Sequence, residues 1–121
     1  MTVLEDLLLL GFEPITEWIM KGEKIGPRSF DWKDHSGWLY AFVVDGEVKY
    51  IGLTDRVLRS RMSDYSHIKN TQTIRLRELI VDELRAGRIV QVFGLREPNT
   101  VKLVAEESRL RAAHRPPWNR V

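Results

Sequence analysis

Tyr40, Tyr50, Arg61, Tyr65, Glu107 and Asn119 are the residues of this 121-residue chain whose types and spacing could do chemistry together. A guanidinium fork suits phosphate oxygens. A carboxylate suits a hard divalent cation. Phenols and a side-chain amide can hold water and one another by hydrogen bonds. Tyr40 and Tyr50 stand ten residues apart, each in a stretch of β-forming residues. Arg61 and Tyr65 are four apart, so a helix would present both on one face. Glu107 lies beside Glu106, and Asn119 follows Pro116-Pro117-Trp118. Each has a plainer reading. Tyrosines pack in strands, a helical arginine or glutamate is commonly solvated, and a tryptophan belongs to a core.

The elements that would position them follow from pattern. Trp38–Val43 and Val48–Gly52 are β-branched and aromatic, and Asp45-Gly46 between them is a turn signal, which predicts a hairpin. Residues 55–66 predict a helix with Val57, Leu58, Met62 and Tyr65 on one face. Residues 73–86 predict an amphipathic helix closed by Gly87. Residues 88–95 predict a strand, and a last helix runs from an Asn99 or Thr100 cap to about Ala113, stopped by Pro116 and Pro117. Ahead of this, residues 3–10 predict a short helix with Thr2 as cap, 13–20 an edge strand, and 21–36 a loop. The expected fold is α+β: a small antiparallel three-stranded sheet flanked by helices, a ββααβα core, with an N-terminal helix and strand extension. Residues 1–36 would pack as that extension on a core formed by 37–121, one compact domain overall.

Composition narrows the function. There is no cysteine, which excludes disulfides, thiolate zinc sites and cysteine nucleophiles and fits a cytoplasmic setting. His35 and His114 have no partner at metal-ligand spacing, so no zinc site is expected. The apolar run Leu7–Leu10 is far short of a membrane span, and acidic Glu5 and Asp6 argue against a signal peptide. Charge is uneven. Residues 1–52 carry five Lys/Arg against nine Asp/Glu, and residues 53–121 fourteen against eight. A basic C-terminal portion suggests a polyanion partner, with Arg56, Arg59, His67, Arg111 and Arg115 as candidate phosphate contacts. Arg75, Arg77 and Arg109 are weaker candidates, since several of these side chains must be ordinary solvated ones, and so is an exposed His67 by its plainer reading.

Taken in order, the set resembles the GIY-YIG nuclease superfamily, over roughly residues 37–119. The second triplet is intact as Tyr50-Ile51-Gly52. In the first, Trp38-Leu39-Tyr40, the tyrosine is kept while tryptophan and leucine replace the usual glycine and isoleucine. The stretch from Glu107 through Pro116 to Asn119 is closest in motif to the N-terminal incision domain of the bacterial excision-repair endonuclease. The resemblance implies phosphodiester hydrolysis in DNA with one Mg²⁺ or Mn²⁺ bound by Glu107. It implies catalytic roles for Tyr40, Tyr50, Arg61 and Tyr65, with Gly52 and Asn119 supporting them. Arg61 would stabilise transition-state charge, Tyr40 would position or deprotonate the attacking water, and Tyr50 and Tyr65 would orient water and phosphate. A phenol's ordinary pKa, about 10, makes it a poor base unless a cation lowers it.

A geometry goes with this. A two-residue Asp45-Gly46 turn makes paired residue numbers sum to 91, placing Tyr40 and Tyr50 on opposite faces. A three-residue loop, Val44-Asp45-Gly46, gives 90 and sets Tyr40 opposite Tyr50, so a type I turn with a bulge is expected. Glu107 rather than Glu106 lies twelve residues before Asn119, and only one of two neighbours on a helix can face the hairpin. Glu107 and Arg61 are expected to converge on the tyrosine face. The competing function is an inactive nuclease-like DNA-binding or interaction module. The nuclease reading leaves open structure-selective repair, restriction or a mobile element. No specificity domain is evident, so a homodimer or a protein partner would supply specificity. Trp18, Ile19, Phe30 and Trp32 could form that interface, or simply cap the sheet.

Overall fold

The computed structural model describes residues 3–29, 35–67 and 70–120. The elements are α1 (Val3–Leu10), β1 (Glu13–Lys21), β2 (Lys24–Pro27), β3 (Ser36–Val44), β4 (Glu47–Val57), α2 (Leu58–Ser66), α3 (Thr71–Arg85), β5 (Val90–Arg96) and α4 (Thr100–His114). The strands form one antiparallel sheet of five, in the order β2-β1-β5-β3-β4. The expected three-stranded core is therefore the β5-β3-β4 half of a larger sheet. Residues 13–20 do not form an edge. β1 lies between β2 and β5, and Pro14, which lacks a donor for the ladder, sits at a register shift. Residues 24–27, read as loop, are the outer strand. Lys24-Ile25-Gly26-Pro27 is too short and too rich in Gly and Pro to announce itself as one. Thr2, Phe30 and Trp32 lie outside the described residues.

β3 is the central strand of the site. All its residues but Ser36 are buried, because helices cover both faces of the sheet. Its side chains divide by parity. Trp38, Tyr40, Phe42 and Val44 point into a core shared with Leu58, Met62 and Tyr65 of α2 and Leu76 and Ile80 of α3. Leu39, Ala41 and Val43 point into a second core with Leu7 of α1 and Leu103 and Leu110 of α4. Trp18 belongs to the first core at 1% exposure, so it caps the sheet as the plainer reading held.

The helices start and stop on specific contacts. Asn70 and Thr73 form a reciprocal capping box on α3. At its far end Gly87 adopts φ +83°, and the Arg88 amide reaches back to the Glu83 carbonyl at 3.0 Å, closing the helix as expected. Asn99 caps α4 through the Lys102 amide. α2 starts later than expected: β4 continues to Val57, so Arg56 is on a strand end rather than a helix.

Candidate active site

The hairpin sets the site. Asp45 and Gly46 both have positive φ (+50° and +77°), the signature of a tight two-residue type I′ turn, not the expected three-residue loop. Val44 pairs with Glu47 and Val43 with Val48. A bulge then inserts Lys49, and from Phe42↔Tyr50 onward the register is shifted by one. Tyr40 therefore lies opposite Gly52, and Tyr50 opposite Phe42. The two tyrosines share a face, with ring centroids 6.1 Å apart, but through a bulge within the strand rather than a longer turn. Lys49 does not waste its displaced carbonyl: it accepts the Trp118 amide at 2.7 Å.

Gly52 is required by space. A Cβ there would stand 2.7 Å from Tyr40 Cζ, 2.8 Å from its hydroxyl and 2.8 Å from Tyr50 Cε2. The Tyr40 ring thus crosses its neighbour strand in a gap that only glycine leaves. Its hydroxyl meets the Tyr65 hydroxyl at 2.7 Å and accepts a hydrogen bond from Arg61 Nε at 3.0 Å. The Arg61 guanidinium also lies over the Tyr65 ring, 5.0 Å from its centroid, a cation–π contact. The helical spacing of Arg61 and Tyr65 does what was expected of it.

Electrostatics decides what these phenols can do. Tyr40 and Tyr65 are both fully buried. Burial pushes the Tyr40 phenol well above its ordinary value, Tyr50 adds to the rise, and Arg61 opposes it without prevailing. Burial likewise pushes Tyr65 up, with Tyr40 adding to it. In this arrangement the neighbouring cation does not turn Tyr40 into a base at neutral pH. It is a neutral phenol that fixes Arg61. A testable consequence concerns stability. Both phenols hold their protons in the folded chain at a pH where the unfolded chain loses them. Their contribution is therefore complete below pH of about 10 and is lost as pH rises from there toward the folded values, with a slope of about 1.4 kcal/mol per pH unit for each. Thermal melts between neutral pH and pH 11 are expected to show that fall, and Tyr65→Phe to make it shallower. An equally steep fall in Tyr65→Phe would refute the assignment.

The C-terminal tail guards the sheet edge. β4 is an outer strand, and Asn119 binds its Ile51 on both polar groups: Oδ1 accepts from the amide at 2.9 Å and Nδ2 donates to the carbonyl at 2.8 Å. One side chain thus acts as a strand partner beside Gly52. Arg75 Nη2 holds the Trp118 carbonyl at 2.6 Å, and Trp118 is buried.

Glu107 is placed differently from expectation. It lies between Leu103 and Leu110, the two buried residues of α4, which enter the core on the face away from the tyrosines. Its side chain is 14% exposed, against 41% for Glu106, which turns outward to Arg109. Glu107 is thus the sheet-facing member of the pair, yet it does not share the tyrosine face with Arg61. The cause is α4's short apolar stripe, which fits Leu39, Ala41 and Ile51. Arg61 and α4 meet instead around the β4 edge, in a cavity of about 300 Å³ lined by Leu53, Thr54, Arg56, Arg61, Thr100 and Leu103 among others. α4 contributes Thr100, Leu103 and Val104 to that cavity; Glu107 is not among its lining residues.

Of the candidate phosphate contacts, Arg111 and Arg115 come together. With Arg120 they line a groove of about 740 Å³ that also includes Ser108 and Asn119 and, among the described residues, no Asp or Glu. Arg120 was not singled out from sequence. Its charge, after burial, also disfavours the protonated form of Arg75. His67 is exposed and its Nδ1 contacts the Ser63 carbonyl at 2.9 Å at the end of α2, outside the tyrosine cluster. Asp64, also missed, takes both Arg56 and Arg61 as partners. Its only sequence signal is an acid three residues after a candidate arginine.

No protein-family model and no curated protein sequence matches the chain. Among solved structures, a glutamate-to-alanine mutant of bacteriophage T4 EndoII matches with a TM-score of 0.75 and 19% identity, over 99% of this chain and 100% of that one. At that identity the likeness shows a shared fold. Among the described residues no helix is long and apolar enough to cross a membrane.

Proposed function

We propose that the protein is a divalent-metal-dependent DNA endonuclease of the GIY-YIG type, hydrolysing phosphodiester bonds. The observation that carries this reading is the assembly of half-buried Arg61 with the buried phenols of Tyr40 and Tyr65, seated on Gly52 beside the Asn119 clamp. It fixes an arginine at a cavity on the sheet edge, which is what charge stabilisation of a phosphoryl transition state needs. The fold shared with T4 EndoII, a phage endonuclease, supports the same class of activity. The groove with Arg111, Arg115 and Arg120 supports DNA as the polyanion.

Glu107 fits a hard cation. Its carboxylate is largely sheltered, and its ion-pair partner, Arg111, stands 3.6 Å away, too far for a tight hydrogen bond that would occupy the oxygens. One such carboxylate suffices where water and substrate phosphate complete the shell of Mg²⁺ or Mn²⁺. Bound there, the ion would supply Lewis acidity at the scissile phosphate. The remaining work belongs to the chain. Arg61 neutralises charge, Tyr40 and Tyr65 hold Arg61 in place as neutral phenols, and Asn119 and Gly52 keep the β4 edge in register. The test is nicking of supercoiled plasmid. Relaxed circles are expected with Mg²⁺ or Mn²⁺ and none with EDTA. If the chain binds DNA but cuts neither supercoiled, linear nor branched DNA with either ion, the inactive-module reading replaces this one.

A further inference from the structure

The geometry points to a shared phosphate subsite on Arg56 and Arg61, for which the carboxylate of Asp64 competes with the DNA backbone. This inference rests on the DNA-endonuclease reading. Arg56 ends β4, while Arg61 and Asp64 are one turn apart on α2. Arg56 Nη2 contacts Asp64 Oδ2, and Arg61 Nη1 lies 3.4 Å from the same oxygen. One carboxylate oxygen is thereby shared by two guanidinium groups. A carboxylate and a phosphate offer arginine the same two-oxygen fork, so each can take the other's place. Arg61 stays oriented when Asp64 lets go, because its Nε remains on the Tyr40 hydroxyl.

The location suits a DNA strand. Arg56 and Arg61 both line the cavity at the β4 edge. Arg56 and Asp64 line a neighbouring one of about 680 Å³ with Arg59, Ser60 and Ser63. The Arg56–Asp64 pair is therefore the boundary between the cavity that holds Arg61 and an open basic surface. Two guanidinium groups share one carboxylate oxygen there, and the exposed Asp55 lines the same cavity as Arg56 and Arg61. Arg56 is half exposed, and an ion pair of that kind is weak, so a phosphate can displace it. The Asp64 carboxyl sits below its usual range; burial works against that, and its bonds to Arg56 and then Arg61 outweigh the burial. It is thus an anion that DNA must displace, which makes it a positioning and gating residue rather than a catalytic one.

The test is fluorescence anisotropy of a labelled 20-base-pair duplex with the full chain in EDTA, across a range of salt. Asp64→Asn is expected to bind at least threefold tighter than wild type and to steepen the slope of log affinity against log salt by about 0.9, one phosphate contact. Asp64→Glu, which keeps the anion, is expected to retain the wild-type slope. Asp55→Asn is the control. Asp55 is exposed on β4 beside Arg56, so the variant removes the same charge nearby, and its gain should be smaller. In Arg56→Gln/Asp64→Asn the extra slope is expected to vanish. Binding by wild type with no more gain in Asp64→Asn than in Asp55→Asn, or weaker binding in Asp64→Asn, overturns the shared subsite alone. No binding by wild type or Asp64→Asn overturns the DNA reading with it.

Discussion

Glu107→Gln is expected to lower DNA cleavage at least 1,000-fold while leaving the fold and DNA binding intact. Glutamine keeps the shape and one oxygen but loses the charge that would hold a divalent cation. Three decades in rate correspond to about 4 kcal/mol of lost transition-state stabilisation, a fair share for a metal-assisted step. The stability cost is small, because the ion-pair partner of Glu107 among the described residues, Arg111, stands 3.6 Å away. DNA affinity should hold or rise, since one negative charge leaves the neighbourhood of Arg111 and Arg115. Glu106→Gln is the matched control: Glu106 turns outward and bonds Arg109, so cleavage there should stay near wild type. Cleavage rates for both variants, read beside melting curves, decide the matter. Equal rates for Glu107→Gln and wild type would remove Glu107 from the site.

How far the site was legible in sequence differs from residue to residue. The i, i+4 spacing of Arg61 and Tyr65 was sufficient, because helical geometry is local and both residues act within one turn. The hairpin was legible as a hairpin, but its bulge was not. The carbonyl that the Lys49 bulge displaces is bound by the Trp118 amide, from the far end of the chain, and no local pattern encodes that. β2, and the inner rather than edge position of β1, escaped for a related reason. The two strands complete the sheet through β5, whose own position comes much later in the sequence. The face that α4 covers was hidden too. Only Leu103 and Leu110 of its fifteen residues are buried, while Val101 and Val104 remain exposed, so its periodicity names no clear apolar side. Asp64 shows the opposite limit. Its meaning is its contacts with Arg56 and Arg61, and an acid on a solvated helix carries no such message in its type.

Gly52→Ala should separate the packing of the phenols from backbone conformation. The obstacle is contact, not torsion: the added methyl would meet the Tyr40 ring and hydroxyl and the Tyr50 ring, all within 2.8 Å. Neither ring can retreat easily. Tyr40 is packed between Phe42 and Tyr65, at centroid distances of 5.7 and 6.4 Å, and Tyr50 stacks on Phe42 at 5.4 Å. Overpacking of such a core costs about 1–3 kcal/mol, and the melting temperature should drop by roughly 3–5 °C for each of those in a chain of this size. The functional effect should be larger than the stability effect. Whatever moves Tyr40 moves its hydroxyl off Arg61 Nε, and with it the guanidinium that faces the β4 edge cavity. A displacement of about 1 Å at a reacting centre is worth about 100-fold in rate. Gly46→Ala provides the contrast. Gly46 has φ +77° and open space around its would-be Cβ, so alanine there strains the turn without touching the phenols. Its stability should fall by about 1–2 kcal/mol with cleavage per folded molecule close to wild type. If Gly46→Ala and Gly52→Ala lose activity only in proportion to their loss of folded protein, the Tyr40–Arg61 contact has no part in placing the arginine. If Gly52→Ala alone loses activity beyond that proportion, the glycine of the Tyr50-Ile51-Gly52 triplet is there because a phenol must cross it to reach Arg61.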